Sequence, residues 1–362
     1  MNSPIKTDQT PEKRFTKIKV AAVVLTLAGG ALFAFLVYSI GIHEIVESIG
    51  RFGFAGFVAI LAIYFIRICI RAYAWKLSVH EPFHLGIRDT VPAVVIGEAM
   101  SSTIPLGILI SGTSKAVAVR KHIPLVAALS SVATENLFYS LVTGIYLIAG
   151  AAMLLRVSTI DQNLVWTVNF LIITLAVLLA LGILMVIRQW HMASELCEQL
   201  YRRGFLKKLL KGGRMQVRLF ENLIYGFYRR HPRRFIPICL LEALYHALGI
   251  AEVLYILGRI TDSPPTLMSA FLLESVSRLV TIVFKLVPFN IGVDEAGAQL
   301  VGETVALAAG VGVTLAIIRK GRILFWAAAG WLLIAKRGLA LRELFERTSG
   351  NKEKGDPEAA QS

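Results

Sequence analysis

Three charged side chains lie within one apolar segment of the sequence, residues 266–287. Glu274, Arg278 and Lys285 are spaced by four and seven residues, so a helix places all three on one face. A charged side chain at the bilayer centre costs about 2.5–3.5 kcal/mol on insertion scales, so each requires a protein partner or a water-filled cavity. Two interpretations stay open: a structural Glu274–Arg278 ion pair, or the polar wall of a substrate path.

Other charged residues also fall within apolar segments. Glu135 is the single charge of its segment, and it either stays protonated or pairs with a cation from another helix. Arg67 and Arg71 lie toward the end of theirs, and we favour the interpretation that they extend to the lipid headgroups. Glu242 and His246 share a helix face, where we expect a local hydrogen bond, since no third metal ligand has a suggestive spacing.

Signatures of soluble catalytic sites are missing from the sequence, which has no P-loop, HExxH, GxSxG or CxxC motif. Cys69, Cys197 and Cys239 are widely spaced and odd in number, which predicts inert packing groups. We therefore expect no metal and no cofactor. Catalysis on a lipid by intramembrane carboxylates stays open as an alternative.

The composition indicates that membrane-spanning helices hold these residues. Of the 362 residues, 56% are hydrophobic and 17% are charged, whereas soluble domains carry about 25% charged residues to solvate their surface. The net charge is +14, but most cations lie between apolar runs, as in cytoplasmic loops. This distribution argues against a nucleic-acid partner.

The lengths of the apolar runs predict the membrane spans, because crossing the hydrocarbon core takes roughly 20 residues. Segment 91–118 is apolar but interrupted by Pro105, Gly107 and Gly112, which predicts a re-entrant hairpin. We predict an all-α transmembrane helix bundle of about eight spans plus this hairpin. The predicted spans lie near 19–41, 54–78, 123–152, 165–188, 235–257 and 266–287, with two more within 289–337.

The distribution of cations predicts the orientation. Loop 189–233 carries ten lysines and arginines against three glutamates, while loops 42–53 and 153–164 carry one arginine each. The N-terminus, the basic loop and the C-terminus are therefore predicted to be cytoplasmic. Helical spacing of Leu219, Leu223 and Phe227 is typical of an interfacial helix that meets anionic headgroups; the alternative is a loop that only fixes topology. The predicted regions are a basic tail (1–18), the membrane domain (19–340) and a polar, disordered tail (341–362).

Two proline-led segments of the sequence resemble each other. IPLGILISGTSKA (104–116) and LVPFNIGVDEAGAQL (286–300) each have a proline, then glycine and small residues, then a charge before alanine, at Lys115 or Glu295. Internal repeats of this kind place broken helices at a shared site in transporters. The predicted breaks are at Pro105, Gly112, Pro288 and Gly292.

The second segment and its surroundings resemble the flippase-like integral membrane family. This family includes the membrane domain of lysylphosphatidylglycerol synthases and membrane proteins associated with hopanoid biosynthesis. The resemblance rests on LLESVSRLVTIVFKLVPFNIGVDEAGAQL and on AIIRKGRILFWAAAGWLL. The sequence departs from the family pattern at Phe289–Asn290 and at Ser114–Lys115. The matching positions are Glu274, Ser275, Pro288, Gly292, Val293, Glu295, Arg319, Lys320 and Arg322.

What the resemblance implies is lipid handling in the inner (cytoplasmic) membrane. The protein would move a phospholipid, glycolipid or isoprenoid lipid across or along the membrane, or pass it to a lipid-biosynthesis partner protein. A membrane scaffold that recruits partners through the basic loop is a further alternative. We expect Glu295 to approach a cationic group and the cations to solvate an anionic lipid headgroup. The candidate polar pathway comprises Lys115, Glu135, Glu274, Arg278, Lys285, Glu295, Arg319, Lys320 and Arg322.

Overall fold

The computed structural model is all-helical throughout the part of the chain that it describes. That part comprises residues 27, 30–39, 41–104, 107–157, 162–189, 194–195, 198–199, 207–284 and 287–336. The predicted α-helical class is confirmed. The helices are α1 (Gly30–Ser39), α2 (Ile42–Leu77), α3 (Ile87–Thr103), α4 (Gly107–Ala118), α5 (Leu125–Val157), α6 (Gln162–Arg188), α7 (Lys207–Arg230), α8 (Phe235–Ile260), α9 (Leu267–Val283), α10 (Val293–Thr304) and α11 (Val311–Lys336).

Four helices in the described part are long and apolar enough to cross a membrane. They coincide with α2, α5, α6 and α8, and they cover four of the predicted spans. The α2 helix kinks at Gly53, which has φ 68° and ψ 172°, and the predicted span begins at the next residue. The first predicted span, 19–41, lies largely outside the described residues.

Segment 91–118 forms the predicted hairpin, in which α3 (17 residues) packs on α4 (12 residues). A second hairpin of the same dimensions, which the sequence did not suggest, comprises α9 (17 residues) and α10 (12 residues). At 1.5 Å per residue α10 is about 18 Å long, whereas the hydrocarbon core is about 30 Å thick. Neither α9 nor α10 is among the four described helices that are long and apolar enough to cross a membrane. A hairpin therefore takes the place of the two separate crossings expected in this region.

The two hairpins belong to an internal repeat. Helices α2–α5 and α8–α11 both consist of a long helix, a hairpin and another long helix. Their packing is reciprocal, since α2 contacts α8, α3 contacts α11, and α5 contacts α9. In the predicted orientation α2 runs toward the cytoplasm and α8 runs away from it. The repeats are then inverted, as in many transporters, and the hairpins enter from opposite sides.

Small residues let the repeats approach closely. A Cβ atom on Gly330 of α11 would collide with Ala99 and lie 2.8 Å from the carbonyl oxygen of Val95, both on α3. A Cβ atom on Gly150 of α5 would lie 2.5 Å from the hydroxyl of Ser275 on α9. Glycine at these crossings permits the close helix packing that is typical of membrane interiors.

The basic loop contains the amphipathic helix α7. Its residue Phe227 is fully buried and clusters with Ala74, Phe138 and Ile238 of α2, α5 and α8. The C-terminal end of α7 therefore lies against the helix bundle, where apolar burial holds it.

Candidate functional site

A cavity of about 550 Å³ lies where the two hairpins meet. The end of α3 contributes Ser101 and Ser102, and the turn Pro288–Asn290 after α9 contributes Phe289 and Asn290. This turn contacts α3 directly. Phe289, Asn290 and Gly292 all have positive φ values, 54°, 49° and 81°, so the chain leaves the helical conformation here. The predicted break at Pro288 and Gly292 is thus present and borders the cavity.

The charged residues of the cavity lining are predominantly cationic. Its charged residues come from α2, α3, α4, α9, α10 and α11, and five of them are basic and two are acidic. The formal excess is therefore three positive charges. These residues are Arg71, Lys115, Arg278, Arg319 and Arg322, with Glu98 and Asp294.

Glu274 is the shared acceptor behind part of this lining. It is fully buried and accepts hydrogen bonds from Arg278 at 3.0 Å, from Arg67 at 3.4 Å and from Arg319. The predicted Glu274–Arg278 ion pair is therefore present as one of three. Charge-assisted bonds of this kind fix the planar guanidinium groups in orientation.

Glu252 of α8 is a second shared acceptor of hydrogen bonds from arginines. It accepts from Arg67 at 3.0 Å and from Arg322, and the Arg319 Nε atom lies 3.6 Å from it. Across this cluster four arginines share the two buried carboxylates, and Asp294 also interacts with Arg319, so the cations exceed the carboxylates by one. The sequence interpretation did not single out Glu252, although it is a charge within a predicted span, which is the signal that could have found it.

Glu135 organises a second cluster from α5. Arg71 donates to it from Nη2 at 2.5 Å and from Nε at 3.0 Å, and the Lys115 Nζ atom lies 3.7 Å away. Arg71 also lies 3.9 Å from Glu98, which accepts the Tyr64 hydroxyl at 3.3 Å. Of the two alternatives for Glu135, the pairing with cations of other helices is the one observed. Glu98, inside the predicted hairpin, is a second residue that the sequence interpretation missed.

Tyrosine rings join the two clusters. Tyr245 has the guanidinium carbon of Arg67 4.3 Å from its ring centroid, with those of Arg278 and Arg71 at 5.5 Å and 5.7 Å. The Arg322 guanidinium lies 4.0 Å from the centroid of Tyr64. Aromatic faces attract cations, so these rings stabilise arginines that the carboxylates do not fully neutralise.

A separate ion pair, outside these two clusters, lies at the start of α10. The Lys320 ammonium lies 2.5 Å from Glu295, and the same carboxylate caps the helix by accepting the Gly292 backbone N–H at 2.8 Å. The expected approach of Glu295 to a cation is confirmed for Lys320. Arg319 and Arg322, the other expected cations, are held by the glutamates of α8 and α9 instead.

The expectation that Arg67 and Arg71 extend to the headgroups was wrong. Arg67 is fully buried and Arg71 is 7% exposed, and both pair with carboxylates of other helices. The expectation rested on their location near the end of an apolar run. The carboxylates that accept their hydrogen bonds lie between 64 and 207 positions away in sequence.

Two further expectations need correction, and two residues cannot be placed. His246 bonds Thr143 at 2.9 Å, so the expected bond between Glu242 and His246 does not form. Gly112 lies inside the continuous helix α4 and is not a break. Lys285 and Pro105 lie outside the described residues. Within the described residues, no group of three His, Cys, Asp or Glu could hold a metal ion.

Comparison with known proteins gives one match. A family model described as the lysylphosphatidylglycerol synthase TM region matches residues 19–330. The matched range includes every cavity-lining residue, the first repeat and all but the last six residues of the second. No curated protein and no solved structure matches the chain.

Proposed function

Because this chain belongs to the lysylphosphatidylglycerol synthase transmembrane-region family and is a membrane lipid-related protein, we propose that it translocates lipids, across the bilayer or along it to a partner. The headgroup occupies the cavity between the two hairpins, and the acyl chains stay in the bilayer. One observation carries the proposal: a cationic cavity at the meeting point of two hairpins is closed on one side by a wall of leucines.

The charge of the lining favours an anionic headgroup. Five basic and two acidic groups face the cavity, while Glu135, Glu252 and Glu274 are buried behind the cations that they orient. A phosphate-bearing headgroup would supply the missing negative charge and accept hydrogen bonds from several arginines together. Since these arginines are already held in place, little conformational entropy is lost when the headgroup binds.

The leucine wall favours a lipid over a small water-soluble solute. Leu175, Leu178 and Leu179 of α6 line the cavity. This helix packs chiefly on α5, and its most apolar window contains no buried residue. An apolar helix that separates a charged cavity from the bilayer is suited to let acyl chains pass while the headgroup stays solvated.

The inverted repeat supports movement between leaflets. Hairpins that enter from opposite sides and meet at one cavity are suited to expose it to each side in turn. We place the protein in the cytoplasmic membrane with anionic lipids as its ligands and lipid-biosynthesis proteins as its partners.

Reconstitution into vesicles tests the proposal. Phosphatidylglycerol with a fluorescent acyl chain is incorporated into both leaflets, and a membrane-impermeant quencher reports the fraction that reaches the outer leaflet. We expect wild type to expose the inner pool faster than protein-free vesicles, and R278Q to be at least tenfold slower. The matched variant R259Q removes an arginine from the exposed end of α8 and should behave as wild type. Equal rates with and without the protein would refute translocation across the bilayer.

A further inference from the structure

Glu242 of α8 is a buried carboxylate that differs from the other buried glutamates of the bundle. The residue is fully buried, and within the described residues neither carboxylate oxygen has a hydrogen bond or a salt bridge. The buried glutamates Glu135, Glu252 and Glu274 are all held by arginines. An ionised carboxylate that is buried without compensation is strongly disfavoured, and such a group takes up a proton instead.

The charges around Glu242 balance when it carries a proton. Arg71 and Lys115 are the cations that face it, and they are matched by Glu98 and Glu135 in the same cluster. An ionised Glu242 would leave this cluster with one excess negative charge beside the cavity. Arg278 of α9 and Arg319 and Arg322 of α11 are engaged around Glu252 and Glu274. The ionisable groups facing Glu242 are Arg71 of α2, Lys115 of α4, Glu135 and Tyr139 of α5, and Cys239 of α8 itself.

Polar groups connect this position to the cavity. Thr143 lines the cavity and lies 2.9 Å from Nε2 of His246, which follows Glu242 by one helical turn. Arg71 and Lys115 reach from the cavity wall toward Glu242 as well. Glu242 therefore lies close to the polar wall of the cavity.

We propose that Glu242 is a proton-binding site whose occupancy is coupled to an anionic headgroup in the cavity. This inference rests on the proposed function. A protonated Glu242 leaves Arg71 and Lys115 more attractive to an anion, whereas an ionised Glu242 repels it. Linkage is reciprocal, so a bound anionic headgroup must strengthen proton binding by the same factor. The proton and the anionic lipid then bind cooperatively, so a pH gradient across the membrane can drive the movement of the lipid.

Infrared difference spectroscopy between low and high pH tests the site directly. The protein is placed in phosphatidylcholine nanodiscs, with and without phosphatidylglycerol. We expect a protonated-carboxyl band that disappears at high pH and that is missing in E242Q. The control E303Q removes an exposed carboxylate of α10 and should keep the band. Phosphatidylglycerol should move the midpoint of the band upward by about one pH unit, a tenfold change in proton affinity.

Each outcome decides one part of the inference. A band that persists in E242Q would overturn the proton site, and so would the absence of any band in wild type. A midpoint that phosphatidylglycerol does not move would overturn the coupling. The spectroscopic result is independent of lipid movement, so a band at Glu242 in a protein that fails to translocate would refute the proposed function alone. Two results together would support the proton site and the proposed function: the band is lost in E242Q, and translocation slows as pH rises in wild type but not in E242Q.

Discussion

Arg67 and Glu252 lie 3.0 Å apart and are both fully buried, and they join α2 to α8. These two helices occupy equivalent places in the two repeats and pack directly on each other. The ion pair therefore lies on the interface between the repeats, next to the cavity. If the repeats move relative to each other to expose the cavity to each side of the membrane in turn, Arg67 and Glu252 must either stay paired or form new ion pairs.

Glu274 should be more important for stability than Arg278, although the two form one ion pair. E274Q removes the shared acceptor of three arginines, and we expect a loss of about 3–5 kcal/mol in the free energy of unfolding. R278Q leaves Glu274 with Arg67 and Arg319, so the loss should stay near 1 kcal/mol. Thermal unfolding in detergent measures both. Equal losses would contradict the shared-acceptor arrangement.

Gly330 should tolerate no side chain at all. G330A places a methyl group against Ala99 and the backbone of α3, and we expect a loss of about 1–3 kcal/mol from overpacking. Gly182 of α6 has no neighbouring atom within 4 Å of its Cβ position. G182A should therefore be neutral, or stabilising by up to about 1 kcal/mol through helix propensity. Unfolding temperatures compare the two, and a stable G330A protein would refute the close approach of α3 and α11.

Holding α6 against α5 should block lipid movement. A Cβ atom on Gly144 would lie within 2.9 Å of the Leu179 side chain, so G144C and L179C together are placed to form a disulfide. We expect the oxidised double variant, in a background without native cysteines, to lose translocation and the reduced form to regain it. The single variants serve as controls. Unchanged translocation after complete oxidation would rule out α6 as the path of the acyl chains.

Cysteine labelling should place the two hairpins on opposite sides of the membrane. H84C and K121C flank the first hairpin, and S263C and A308C flank the second; all four positions are exposed. A membrane-impermeant thiol reagent added to intact cells should label S263C and A308C only. Labelling of S263C without A308C would show that α9 and α10 do not form a hairpin and would restore the two separate crossings.

Introducing a cysteine at Lys208 tests the orientation on which that assignment rests. The basic loop 189–233 is predicted to be cytoplasmic, so K208C should resist the same reagent in intact cells and react after lysis. Labelling of K208C in intact cells would invert the whole topology.

Hydropathy and charge patterns predicted the helical class and most of the long helices. Apolar length predicted the ends of α5, α6 and α8 to within about five residues and predicted α2 from its kink at Gly53 onward. Proline with glycine predicted the hairpin of α3 and α4. These features depend on local transfer energies and backbone preferences, which a sequence contains directly. The second hairpin was missed because 266–287 is apolar enough to be interpreted as a span, although the break that follows it at Pro288 and Gly292 was predicted.

The sequence by itself determined which charges would need partners: Glu135, Glu274, Arg278 and Glu295 were identifiable because bilayer insertion penalises each one individually. Only the tertiary structure decided which partner each one has. Arg67 pairs with Glu252 and Glu274 across 185 and 207 positions of chain. Among the residues that the structure describes, Glu242 has no hydrogen-bond partner. The cost of burying a charge is a property of the residue and its segment, whereas its compensation depends on which helices pack together, and that packing is set by the whole bundle.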